Sequence, residues 1–244
     1  VEYSINHSDG ITSVSASLRD DTYANFNIRN KIEVIPNFID FERFRKTDKE
    51  HFKKAIAPSG EKILIHISNF RKVKRVEDVV RMFSKVVKKI SSKLLLVGDG
   101  PERMGAEMLC RNLGICDHVR FLGKQDKVED LLAISDLFIL PSETESFGLA
   151  ALEAMACEVP VISSNAGGLP EINIEGKTGY MSDVGDYEDM AKHAIYILED
   201  ETRLQEFKAN AFAHARTFDI DNILPQYEAY YERTLRINDV EFVI

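Results

Sequence analysis

The sequence is 244 residues long and 44% hydrophobic, with 31 Lys and Arg against 40 Asp and Glu for a net charge of −9. The apolar share supports a packed core in one large or two small domains, and the acidic balance argues against a nonspecific nucleic-acid or anionic-membrane surface. No run reaches the roughly 18 apolar residues that cross a bilayer, and the opening "VEYSINHSDG" lacks the basic and apolar regions of a signal peptide.

From the N-terminus, residues 1–36 read as a strand, "GITSVS", a helix beginning near Ser15 or Ser17, and a second strand, "KIEVIP". "PNFIDFERF" then looks like a connection. Beyond it, short apolar runs alternate with helix-period segments: "KILIHIS", "VEDVVRMFSKVVKKI", "SKLLLVG", "ERMGAEMLCRNLG", "HVRFLG", "KVEDLLAI", "LFILP", "FGLAALEAMA" and "VPVISS". Continuous rather than alternating apolar strands mean burial on both faces, and intervening helices mean parallel crossovers, so a doubly wound α/β sheet is predicted. From Asp186 onward the pattern is helical through "YEDMAKHAIYIL", "ETRLQEFKANAFAHA" and "ILPQYEAYYERTLR", with "VEFVI" as a candidate final strand. The three cysteines, Cys110, Cys116 and Cys157, form no CxxC pair and fit a reducing, cytoplasmic setting. The six histidines show no zinc spacing, so structural or solvated roles and no metal site are expected.

Four loops at strand ends carry the candidate chemistry. After "KLLLVG", the stretch Gly98-Asp99-Gly100-Pro101-Glu102 leads to a helix that Pro101 can begin and offers close backbone approach to a ligand. As a dinucleotide fingerprint it is incomplete, because Arg103 stands where the third glycine belongs, and a tight βα turn explains it equally well. After "ILIHI", the loop "SNFRKVKR" sets Arg71, Lys72, Lys74 and Arg75 at a strand's C-terminal end, where open α/β sheets bind ligands. Cations beside a helix N-terminus are disfavoured unless an anion is there, which favours phosphate over a solvated basic run.

The third loop is "PSETESFG". The spacing of Leu149, Leu152 and Met155 predicts a helix from near Gly148, whose first-turn N–H groups form an anion site. Glu145 and Glu153 can accept hydrogen bonds from hydroxyls, so the pattern describes a diphosphate between polyol groups, as in a nucleotide sugar. Two plainer readings stay open: Ser142-x-x-Glu145 matches a capping box, and Glu153 can be a solvated helix residue. Against the second, Ala150, Ala151, Ala154 and Ala156 imply close packing in which a charge needs a partner. In the fourth loop, "SSNAGGLPEI", Gly167 and Gly168 serve close approach or simply punctuate a turn.

Together these features resemble the retaining glycosyltransferases of family 4, whose GT-B architecture sets two Rossmann-like domains face to face. The resemblance rests on "VIPNFID", the basic loop ending in Lys74, "LLLVGDGPE", "VRFLG", "SDLFILPSETESFGLAALEAMACEVPVISSNAGGLPEI" and "GKTGYM". It implies a C-terminal, donor-binding Rossmann-like domain over residues 37–216, a remnant of the N-terminal, acceptor-side domain over residues 1–36, and a helix and tail over 217–244 crossing back to that domain. The family's E-x7-E motif falls on Glu145, facing the donor sugar, and Glu153, holding the ribose hydroxyls. The backbone of Ser146, Phe147, Gly148, Leu149 and Ala150 would lie along sugar and diphosphate. Lys74 matches the lysine that neutralises the diphosphate. Its partner arginine normally stands where this chain has Asn69, so the resemblance passes that role to Arg71 and leaves Asn69 at the donor's edge.

Leu122, Gly123 and Lys124 would receive the base, bordered by Gly98 and Gly100. The implied catalytic set is Glu145, Lys74 and Arg71. The implied substrates are UDP-N-acetylglucosamine as donor and L-malate as acceptor, with no cofactor or metal, and an N-terminal GT-B domain is the implied partner. A homo-oligomer stays open. The competing readings are a nucleotide-sugar binding module inactive by itself, a family member with another donor and acceptor, and a nicotinamide-binding protein resting on "GDGPE".

Overall fold

A computed structural model of the protein describes the backbone of residues 1–241 and the side chains of residues 1–236. Residues 1–36 form a small parallel unit of α1 (Glu2–Asn6), β1 (Ile11–Ser13), α2 (Ala16–Asn25) and β2 (Ile32–Val34), with Ile11 opposite Ile32. Helix α2 starts where the extended Ser15 accepts the Leu18 N–H with its hydroxyl, the geometry that favours serine at an N-cap.

After the connection, α3 (Glu50–Ile56) leads into β3 (Lys62–Ile67), α4 (Val76–Val86), β4 (Ser92–Val97), α5 (Arg103–Asn112) and β5 (Val119–Gly123). The alternation continues through α6 (Val128–Ala133), β6 (Leu137–Leu140), α7 (Leu149–Ala156), β7 (Val161–Ser164), α8 (Leu169–Ile172) and β8 (Gly179–Ser182). Three helices close the chain: α9 (Tyr187–Leu198), α10 (Glu201–Ala215) and α11 (Ile220–Glu241).

Strands β3 to β8 form one six-stranded parallel sheet in the order β5-β4-β3-β6-β7-β8, the doubly wound topology predicted from the apolar runs. Leu64, Leu94, Leu96 and Ile139 enter a core shared with α4, α5 and α9, while Ile63, Ile65, Leu95, Phe138 and Leu140 pack with α6, α7 and α10. Both faces are covered, so both strand phases must be apolar. The order also sets β3 beside β6 although β4 and β5 intervene in sequence. The chain leaves those two neighbours toward opposite edges, which opens a crevice at their C-terminal ends.

Three elements carry no clear signal in the sequence. Strand β8 is the four-residue edge segment "GYMS", without a β-branched residue, and α3 and α8 are one to two turns long. Helix α5 begins at Arg103 instead of Pro101: the Arg103 N–H closes a tight turn on the Gly100 carbonyl at 3.1 Å, and the first helical bond runs from the Ala106 N–H to the Glu102 carbonyl. "VEFVI" does not open as a strand: α11 has no proline after Pro225 to stop it and runs through Val240 and Glu241, while Phe242 to Ile244 lie outside the described residues.

Helix α11 lies along the N-terminal unit. The Tyr227 hydroxyl donates to the Ile35 carbonyl at 3.1 Å, Arg233 meets Glu33 at 2.8 Å, and Ile39 exchanges backbone hydrogen bonds with Phe218 and Ile220. Among the described residues no helix is long and apolar enough to cross a membrane.

At the opposite end of the sheet from the crevice, Asp136 accepts the Ile63 N–H at 3.0 Å and the Lys208 ammonium at 2.7 Å. The side chains of Asp136 and Lys208 are only 3% and 6% exposed, so Lys208 depends on Asp136, which also has the Lys53 ammonium at 3.6 Å. Asp136→Ala is expected to cost about 3–5 kcal/mol in urea denaturation, and adding Lys208→Met should restore more than half of the loss. A loss below about 1 kcal/mol would show that Lys208 does not need this partner.

Candidate functional site

The loop after β3 passes through Phe70 and Arg71 into one 3-10 turn, Lys72–Lys74, closed by the Lys74 N–H on the Arg71 carbonyl at 2.8 Å. This turn aims Lys74 across the crevice. Its ammonium meets Glu145 Oε1 in the loop after β6, and the same oxygen accepts the Ser142 hydroxyl at 2.9 Å. Both charged side chains are mostly buried, 20% and 14% exposed. The Glu143 N–H donates to the Val73 carbonyl at 2.8 Å and fixes the two loops to each other.

The Ser142–Glu145 contact excludes the capping box. No helix starts there, α7 begins at Leu149, and Ser142 donates to the carboxylate. Of the other cations, Arg75 is turned aside in a left-handed conformation (φ 49°) to Asp78 at 2.5 Å and Glu143 at 2.8 Å. Arg71 and Lys72 are exposed and have no carboxylate within 4.0 Å among the described residues.

Gly148 caps α7 with φ 96°, a conformation that favours glycine, and a side chain there would crowd Leu169 and Ile172. The N–H groups of Ser146, Phe147, Gly148, Leu149 and Ala150 have no acceptor among the described residues. That row of donors at a helix start suits an anion flanked by hydroxyls. Phe147 is buried against Phe218, ring centroids 5.9 Å apart, which anchors the row to the core.

Glu153 sits on α7, partly buried, with no hydrogen bond or ion pair among the described residues. Burial pushes its pKa up to about 7; Arg43 opposes the shift and Glu129 adds to it. The alanine-lined packing calls for a partner to this carboxyl, and among the described residues the protein supplies none.

The remaining sequence-predicted residues gather beside the crevice. A side chain on Gly98 (φ 122°) would overlap the Ser68 carbonyl, and one on Gly100 the Asn69 carbonyl, so these glycines admit the backbone of the basic loop. This close packing gives the nicotinamide reading no support. The Gly98 N–H donates to the Gly123 carbonyl at 2.8 Å, bringing Leu122 and Gly123 alongside. Asp99, Gly100 and Lys124 line an open hollow at this edge, and Asn69 is exposed next to Gly100.

Sequence reasoning treats His66 as structural or solvated, and the structure gives it a bracing role. Its Nδ1 lies 2.8 Å from the Ile139 carbonyl and must therefore donate, leaving Nε2 to accept the Ser68 hydroxyl at 2.8 Å. Burial, with Lys74 adding to it, lowers its pKa to about 4. The neutral ring ties the basic loop to β6.

Sequence reasoning misses the far wall. Ser17, Leu18 and Asp21 of α2 face Thr144, Glu145, Ser146 and Gly167 across a cleft of about 420 Å³. The only local signal there is the serine-rich start of α2.

A doubly wound parallel sheet whose switch point sets Lys74 on Glu145 ahead of a row of free N–H groups has the Rossmann-like form of a GT-B glycosyltransferase domain. The family profile of the glycosyl transferases group 1 matches residues 47–214, and the chain belongs to that family. It is 48% identical over 242 residues to the N-acetyl-alpha-D-glucosaminyl L-malate synthase of Bacillus anthracis, covering 97% of this chain and 62% of that protein. It is 31% identical over 213 residues to the D-inositol 3-phosphate glycosyltransferase of Rhodococcus opacus, covering 81% of this chain and 48% of the relative. The chain thus spans about half to three-fifths of the length of these relatives. Among solved structures, Anabaena HepE in complex with UDP and glucose superposes with a TM-score of 0.87 at 23% identity, over 95% of this chain and 65% of that one. The sucrose-phosphate synthase of Thermosynechococcus elongatus gives 0.86 at 24% identity, over 97% and 61%.

Because the Glu153 pKa is raised, between about pH 4.5 and 7 the folded protein keeps a proton that the unfolded chain releases, so this group makes stability fall as pH rises through that window. The Tm difference between Glu153→Gln and wild type should therefore grow in the variant's favour from about pH 5 to pH 7.5. A difference that is flat across the window would contradict the raised pKa.

Proposed function

We propose that the chain is the donor-binding half of a retaining glycosyltransferase that moves N-acetylglucosamine from UDP-N-acetylglucosamine to the hydroxyl of L-malate. The observation that carries this reading is the junction at the switch point: Lys74 on Glu145, with the unpaired N–H row and Glu153 following along α7. The 48% identity to the malate synthase supports this donor and acceptor.

In this reading the diphosphate competes with Glu145 for Lys74 and lies against the α7 end of the N–H row, at Gly148, Leu149 and Ala150, with the sugar along Ser146 and Phe147. Glu153 accepts the ribose hydroxyls and Glu145 turns to the sugar. The anomeric C–O bond to the diphosphate breaks, and the anomeric carbon bonds to the malate hydroxyl oxygen, whose proton leaves with UDP or to solvent. Negative charge grows on the diphosphate as it departs, so Lys74, the unpaired Arg71 and the α7 N-terminus favour the transition state over the bound donor. These fixed charges take the place of a metal ion. Leu122, Gly123 and Lys124, beside Gly98 and Gly100, form the edge for the base. An N-terminal domain supplies the acceptor side, and three cysteines without a CxxC pair suit the reducing cytoplasm.

The test is a transfer assay on the full-length protein with UDP-N-acetylglucosamine and L-malate, reading product mass. Lys74→Ala and Glu145→Gln are each expected to lower kcat about 100-fold, and chelator should leave the rate unchanged. No glucosaminyl malate from wild type, with another acceptor glycosylated, would overturn the acceptor assignment. Loss of the rate with chelator would overturn the metal-independent step.

A further inference from the structure

The contacts between α2 and the donor loop go beyond helix capping. The Ser15 hydroxyl accepts the Leu18 N–H at 3.0 Å and donates its proton to the Ser146 carbonyl at 2.5 Å, across 131 residues of sequence. Glu171, in α8, spans the other two N–H groups at the start of α2: Ala16 at 2.9 Å and Ser17 at 2.8 Å. The first turn of the N-terminal helix is thus satisfied in part by a carboxylate of the donor domain.

The same two points control the peptide units after Glu145. Gly168, preceding α8, donates its N–H to the Glu145 carbonyl at 2.8 Å, and the backbone of Glu145 and Ser146 lies too close to Gly167 and Gly168 for any side chain there. Both carbonyls, of Glu145 and Ser146, are therefore held on the side of α8 and α2. A trans peptide sets N–H opposite C=O, so the Ser146 and Phe147 N–H groups are turned away from α2, into the row without protein acceptors.

We infer that Ser15 and Glu171 are positioning residues: by seating α2 on the donor loop they orient the Ser146 and Phe147 N–H groups, so that sugar recognition depends on the position of the N-terminal segment. Neither residue touches the ligand in this account. It rests on the reading that this loop holds the sugar of a nucleotide sugar. A hydroxyl that served only as a helix cap would affect stability and leave the preference between UDP and UDP-sugar alone.

The test uses the full-length protein as wild type, Ser15→Ala, Ser15→Thr and Glu171→Gln, with Kd for UDP and for UDP-N-acetylglucosamine from calorimetry. In Ser15→Ala and Glu171→Gln the ratio of the two Kd values should move at least about fivefold against the sugar nucleotide, the effect of one lost hydrogen bond. Ser15→Thr, which keeps the hydroxyl, should hold the wild-type ratio. A ratio unchanged in Ser15→Ala, with only Tm lowered, would overturn the inference. Wild-type protein that binds UDP but not the sugar nucleotide would overturn the donor reading instead. The positioning is then decided by amide NMR: Ser146 and Phe147 resonances displaced in Ser15→Ala and restored in Ser15→Thr support it, and unmoved resonances overturn it.

Discussion

The ion pair of Lys74 with Glu145 is the contact around which the crevice is built. A mostly buried ammonium at the end of β3 needs a counter-charge, and Glu145 supplies it from the loop after β6. The two residues are 71 apart in sequence and meet only because the doubly wound order makes β3 and β6 neighbours. Their surroundings keep the charge balance local. Ser142 adds a hydrogen bond to the carboxylate, Arg75 is drawn off to Asp78 and Glu143, and His66 stays neutral beside Lys74. A diphosphate offers Lys74 a stronger partner than one carboxylate does, and the carboxylate it displaces lies next to the N–H row. One pair of charges thereby serves the loops and the proposed substrate in turn.

The rest of the crevice is made of backbone. Gly98 and Gly100 let the loop after β4 lie on the carbonyls of Ser68 and Asn69, and Gly167 and Gly168 let the loop after β7 lie on Glu145 and Ser146. Four strand ends thus stack with little side-chain volume between them. The orientation of the peptides follows from which carbonyls are already engaged. This is why a serine on α2 and a glutamate on α8, neither of them in the crevice, bear on its geometry.

Much of this was legible in the residues. The continuous apolar runs from "KILIHIS" to "VPVISS" record a sheet buried on both faces, and the spacing of Leu149, Leu152 and Met155 after Gly148 records the start of α7. Lys74 and Glu145 stood out because charge at a strand's C-terminal end in such a sheet has a known place to go. What the residues did not carry was pairwise. "GYMS" has no strand pattern because an edge strand this short is held by β7, and Pro101 does not begin its helix because the Arg103 N–H closes a tight turn on the Gly100 carbonyl. Glu171 reads as one more acid in a turn, and its meaning depends on α2 lying across from it. Nor do the residues show that α11 lies along residues 1–36, with Tyr227 on the Ile35 carbonyl and Arg233 on Glu33 about 200 positions away in sequence.

The account is tested most directly by the structure of the full-length protein bound to UDP-N-acetylglucosamine. It predicts Lys74 Nζ on a diphosphate oxygen, Glu145 released from Lys74 and turned to a sugar hydroxyl, and Glu153 accepting from the ribose. A complex in which Lys74 remains on Glu145 while the diphosphate binds elsewhere would contradict it.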